Sequence, residues 1–150
     1  MVEEGNNSLS SIDGCLYSKN GSLLLACPSG KTDIIVPINV TSIGLKSFSG
    51  NNLESIVFVP GTNVSMKEGA ISDCSNLKTI KIGMGANIIF EINSIVFNDN
   101  REHTIYLEAP EGFVLNTDAY KSSINVVYGE PPVHDDHGDV LLYFLTSPVE

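Results

Sequence analysis

The chain has 150 residues, 42% of them hydrophobic and 17% charged, the proportions of one ordinary globular domain. Its 8 basic and 18 acidic residues give a formal net charge of −10. That excludes the cationic surface a nucleic-acid binder needs and disfavours docking on an anionic membrane. Apolar runs fall short of a membrane-spanning helix, and Met1-Val2-Glu3-Glu4-Gly5 lacks the basic and apolar regions of a signal peptide.

The first predicted element is a hairpin, Leu16–Ser18 against Leu23–Leu25, turning at Asn20-Gly21, two residues that tolerate positive φ. Cys15 and Cys27 flank it. A two-residue turn sets Cys15 opposite Ala26, whereas a three-residue loop sets it opposite Cys27. Register alone therefore decides whether a disulfide joins them or whether both, with Cys74, are small buried hydrophobes. No CxxC pair exists to suggest a structural zinc site.

Five strands follow, near Ile34–Val36, Ile56–Phe58, Ile80–Ile82, Ile105–Leu107 and Val126–Tyr128, with cores roughly 24 residues apart. Their alternating apolar residues mark strands with one buried face. Ile34, Val36, Ile56, Phe58, Ile80, Ile82, Ile105 and Leu107 are expected to point inward. Leu53 and Leu77 precede the second and third strands, while Glu102 holds that place before the fourth. Between strands a small residue precedes a large one: Ser47-Phe48, Ala70-Ile71, Val96-Phe97 and Ala119-Tyr120. Polar turn clusters such as Ser72-Asp73-Cys74-Ser75-Asn76 come next, and Pro60-Gly61, Gly83-Met84-Gly85 and Pro110-Glu111-Gly112 break the chain after the strands. Asp118–Lys121 is expected to form a short helical turn.

One such unit cannot bury its apolar side alone, but stacked units share a core and pair their strands in parallel. The pattern therefore predicts a solenoid over residues 1–128, with about four to five coils including caps, the hairpin covering the N-terminal end. Phe48 and Ile71 fill the core from the wall opposite the sheet. A β-sandwich with evenly spaced strands would leave the recurring small–large pair unexplained.

The stretch Val40-Thr-Ser-Ile43-Gly-Leu-Lys-Ser47-Phe48-Ser-Gly-Asn-Asn-Leu53-Glu-Ser-Ile56-Val-Phe58-Val-Pro60 resembles one repeat of the BspA-like leucine-rich repeats. Val64 to Ile82 resembles the next. Asp13 to Gly21, continuing into Ile34–Pro37, is similar to that family's opening hairpin, and Tyr106–Gly112 with Ala119–Lys121 is similar to its closing repeat. The resemblance covers roughly residues 12–128 and loosens where Glu102 replaces leucine. It implies an α/β-type leucine-rich-repeat solenoid, β-dominated, with right-handed coils and a parallel sheet on one face. It also implies a cell-surface or secreted role in adhesion or protein binding, with no catalytic residue to carry over. A structural spacer within a larger surface protein is the competing expectation.

The residues themselves lack GxSxG, Walker, GxGxxG and HExxH patterns, so neither enzyme chemistry nor a cofactor is expected. His134-Asp135-Asp136-His137 with Asp139 carries metal-ligating side chains, but it follows the linker-like Gly129-Glu130-Pro131-Pro132 and reads as a solvated tail. Sequons at Asn6, Asn20, Asn39 and Asn63 are open to glycosylation in a eukaryotic surface protein. Residues 129–150 are expected to be a linker and tail, whose apolar Val140–Leu145 would pair as a strand, in this chain or across a homodimer. The candidate protein-binding face is the outward side of the sheet: Ile35, Val57, Lys81 and Tyr106 in one column, leading to Val127, with Asp33, Ser55, Thr79 and Thr104 alongside.

Overall fold

The structure, a computed structural model, describes residues 9–27, 30–49, 52–99, 101–121 and 123–130. The expected tail strand Val140–Leu145, the His134–Asp139 cluster and Asn6 lie outside the described residues.

Every coil follows from period-two alternation. In β4 (Asp33–Val36) the residues run exposed, buried, exposed, buried, so Ile34 and Val36 point in while Asp33 and Ile35 point out. The chain then turns through Pro37 into β5 (Ser42–Ile43), turns again into β6 (Phe48–Ser49), and returns beside its start. The same circuit recurs as β7 (Ser55–Phe58), β8 (Asn63–Met66) and β9 (Ile71–Ser72), then as β10 (Thr79–Ile82), β11 (Asn87–Phe90) and β12 (Ile95–Val96). β13 (His103–Glu108) and β14 (Ile124–Tyr128) close the series. Each full coil thus has three strands, where the sequence led us to expect one strand and a turn-rich return. The extra strands are two to four residues long, too short for alternation to reveal most of them.

Stacking produces three sheets. One has the order β4-β7-β10-β13-β14, all parallel, and contains the five expected strands. The second joins β5, β8 and β11 in parallel, and the third joins β6, β9 and β12. In-register pairing places like side chains above one another: Ile34, Ile56, Ile80 and Leu107 on one wall, Ile43, Met66 and Phe90 on the next. Phe48, Ile71 and Ile95 line the third, with Tyr120 bridged to Ile95. All eight residues expected to point inward are buried, as are Phe48, Ile71, Leu53 and Leu77.

At the N-terminal end β1 (Leu9–Ile12), β2 (Cys15–Ser18) and β3 (Leu23–Ala26) form an antiparallel meander. Asp13 and Gly14, both at positive φ, make the first two-residue turn. β3 then pairs in parallel with β5, so the meander extends only the second sheet.

Three expectations need correction. Among the described residues the helical content is one 3-10 turn, Thr117–Ala119, so the α/β element is not present. Helices would need apolar residues at three- to four-residue spacing, and the return segments alternate instead. In the third coil the small–large pair is Ser94-Ile95, because Ile95 is the residue in register with Ile71. Last, β13 is displaced: Leu107, not Ile105, stands opposite Ile80. The shift along the strand is two residues, which preserves the inward face, so Ile105 and Leu107 are both buried.

Lys46, Gly69 and Asn93 mark the corner before the third sheet. Lys46, Gly69 and Asn93 hold φ of 57°, 68° and 55°, and their amides ladder upward: Lys46 N–H to Gly69 O, Gly69 N–H to Asn93 O, Asn93 N–H to Asp118 O, at 2.8–2.9 Å. The left-handed residue swings the next small residue inside and aims the large one at the core. Phe48 has no exposed surface there, so Phe48→Ala should cost about 3–5 kcal/mol. Urea unfolding should show this as a lower midpoint with an unchanged slope.

Candidate protein-binding face

The outward side of the five-stranded sheet carries the candidate residues. Ile35, Val57 and Lys81 share one column, as the alternation requires. The displacement of β13 then brings Glu108 to Lys81, rather than Tyr106. Tyr106 stands instead in the column Asp33, Ser55, Thr79, followed by Val127. Thr104 pairs with Asn125 and lies beyond the end of β10. Ile35 is 67% exposed, Lys81 and Thr104 are exposed, and Val57, Ser55 and Tyr106 are half-buried. Thr79 is buried, flanked in register by Ser55 and Tyr106, and offers a partner little surface.

Three strand ends and the residues after them form a groove of about 420 Å³ that sequence reasoning did not locate. Val57–Pro60, Lys81–Met84 and Glu108–Pro110 line it. Met84, 79% exposed, stands on its rim. Lys81 Nζ and Glu108 Oε2 lie 4.0 Å apart across it, a weak solvent-facing pair that leaves both groups able to meet a partner. The sequence signal was present in the breaks at Pro60, Gly83 and Pro110, which all fall at the same end of successive strands. Gly83 is needed because the coils touch here: its amide donates to Phe58 O at 2.7 Å. A Cβ at that position would lie within 2.8 Å of Pro60 Cα and Cδ. Gly83→Ala should therefore destabilise the protein by about 1–3 kcal/mol, read as a lower denaturation midpoint.

A second, polar cavity of about 430 Å³ opens between Phe97, Asn98, Asp99, Lys121 and Ser123. It lies beside the loop that replaces the missing leucine of the third coil. Phe97 and His103 stack with ring centroids 3.9 Å apart. His103 Nε2–H donates to both Asp99 carboxylate oxygens, at 2.8 and 3.1 Å. That bond, and then the Arg101 amide, hold the Asp99 carboxyl below its ordinary range. A depressed carboxyl stabilises the fold above its unfolded value of about 3.9 and loses that contribution as pH falls through the lower folded value. Asp99→Asn should flatten the stability profile of the acid limb, measured by thermal melts across that window. Glu91 is lowered likewise, by Lys67 Nζ at 2.9 Å and the Ser65 hydroxyl at 3.0 Å.

Among the described residues, no three His, Cys, Asp or Glu side chains converge as a metal site. Asn20, Asn39 and Asn63 are all exposed; the Asn20 amide oxygen accepts from Ser18, from the Ser22 hydroxyl and from the Ser22 amide.

Coils stacked through parallel strands, a leucine or its substitute buried in each, and a sheet turned outward define a repeat protein of the leucine-rich-repeat kind, here a β-solenoid. Six copies of the BspA type leucine-rich repeat region match residues 26–126, and the chain belongs to that family. No curated protein sequence matches it. It is similar to the crystal structure of the pneumococcal vaccine antigen PcpA, at 14% identity and a TM-score of 0.40, over 86% of this chain and 49% of that one. The chain thus spans about half the length of that structure.

Proposed function

We propose that the chain is a binding module of a cell-surface or secreted protein, which meets a protein or extracellular-matrix ligand through the outer face of its five-stranded sheet and mediates adhesion. The observation that carries this reading is the apolar ridge of Ile35, Val57 and Met84 beside the groove, with one cation and one anion, Lys81 and Glu108, set within it. A face built only for solubility would not keep Ile35 and Met84 exposed above such a groove. Tyr106 adds an amphipathic ring one column away. Family membership supports the location. The reading needs no catalysis and no cofactor. A net charge of −10 favours a ligand with a basic rim and makes association salt-dependent.

A spacer function is the second reading. It is favoured by the polar column, where the Ser55 hydroxyl donates to Asp33 Oδ1 at 2.6 Å and so satisfies the sheet's own groups.

A Val57→Asp, Lys81→Glu variant separates the two. Both side chains point outward, so its circular dichroism and melting temperature should match the parent. Binding to immobilised collagen, fibronectin and laminin should fall at least about tenfold for whichever the parent binds. Parent binding to none of them supports the spacer, whereas equal binding by the folded variant removes this face as the site.

A further inference from the structure

The N-terminal hairpin brings two of the three cysteines face to face. Within it Tyr17 pairs with Leu24 and Leu16 with Ala26. Between those pairs β3 spends one extra residue, Leu25, which is a β-bulge. The bulge shifts the register, so the next residues to meet are Cys15 and Cys27. It supplies the extra residue that a longer turn would otherwise have provided. Directly opposed residues of an antiparallel pair project to the same side. Their Cα atoms lie about 4.5 or 5.5 Å apart, both within the span of a disulfide. The burial pattern agrees with this register. Tyr17 and Leu24 are buried, Leu16 and Ala26 turn toward solvent, and Cys15 and Cys27 turn inward again, buried and half-buried. The Cys27 amide donates to Ser47 O at 3.0 Å, which fixes the strand end against the first coil.

The surroundings bring the two thiols into contact without activating that of Cys27. Both cysteines are thiols in the structure, and that of Cys27 is hydrogen-bonded to Cys15. Burial, then that hydrogen bond, push the Cys27 thiol up, while the Lys31 ammonium acts the other way. Lys31 is held in place by Asp13 Oδ2 at 2.9 Å. Cys74 is buried near enough for its charge also to raise the Cys27 thiol, and its Sγ–H donates to Phe48 O at 3.0 Å.

We infer that Cys15 and Cys27 are a disulfide-forming pair, which staples the hairpin where it hands over to the first coil. The co-reactant is a small disulfide of the glutathione class. Cys27, the more accessible, loses its proton and attacks one sulfur, releasing one thiolate and leaving a mixed disulfide. Cys15 then loses its proton and attacks the Cys27 sulfur, releasing the second. The two cysteines give up two electrons and two protons, and the small disulfide becomes two thiols. The closed loop restrains the unfolded chain at the end that is otherwise tied into one sheet only.

The test uses the full chain incubated with oxidised glutathione, then alkylated in denaturant and weighed. The expected product is a monomer with one alkylated thiol, Cys74, and a Cys15–Cys27 cross-link in the peptide map. Cys15→Ser and Cys27→Ser should each prevent the cross-link, while Cys74→Ser should leave it intact. Reducing the bond should lower the melting temperature of the parent by several degrees and that of Cys15→Ser not at all. Three alkylatable thiols, a glutathione adduct that persists on Cys27, or a cross-link through Cys74 or between chains would overturn the inference.

Discussion

A coil of this chain cannot satisfy itself. Its strands run around a circuit and never pair with one another, so nearly every backbone amide on its three walls needs the coil above or below. Lys46 donates to Gly69, Gly69 to Asn93 and Asn93 to Asp118, and the same dependence holds along the wall from Ile34 to Leu107. Register therefore dominates the design. Once one strand is placed, the inward position of its neighbour is fixed, and the side chain there must match the space left by the layer below. The columns of Ile, Leu, Val and Phe are the consequence, since β-branched and aromatic residues suit a half-buried pleated surface.

The corners matter as much as the walls. Turning a short coil demands left-handed backbone at the corner before the third sheet. Gly69 and Asn93 adopt it at low cost, whereas Lys46 adopts it against its own preference because the neighbouring coils hold it. The small residue that follows, Ser47, Ala70 or Ser94, is buried beneath the bend. Ser47 turns its hydroxyl to Leu24 O at 2.8 Å.

Much of this was legible in the sequence. Period-two alternation located the strands of the large sheet, because four residues of alternation suffice where one face is buried. The small–large pair located Phe48 and Ile71 on the opposite wall. The two-residue strands were not legible, since two residues have no period. Val96-Phe97 imitated the recurring pair in the third coil, where a stacked Phe97–His103 substitutes for leucine and no simple pattern survives. The same irregular turn displaced β13, so equal spacing put Tyr106 beside Lys81 when Glu108 is the residue there. Ile35, Val57 and Lys81 could be aligned from sequence because the intervening coils are regular. The groove could not, because it is made by the ends of three strands, and strand ends are what pattern reasoning places least well.

The meander at the N-terminal end joins one sheet of the three, so among the described residues β4 and β6 begin their sheets with a side on which no strand pairs, as β14 ends its own. These free sides are not equivalent. A parallel sheet has a leading and a trailing margin, and strands added to either must run the same way as those already present. Copies abutting by such margins would meet head to tail, and a head-to-tail contact propagates instead of closing on itself. The architecture thus has an intrinsic polarity: it can be lengthened from either end, by more coils of its own chain, without disturbing the coils already laid down.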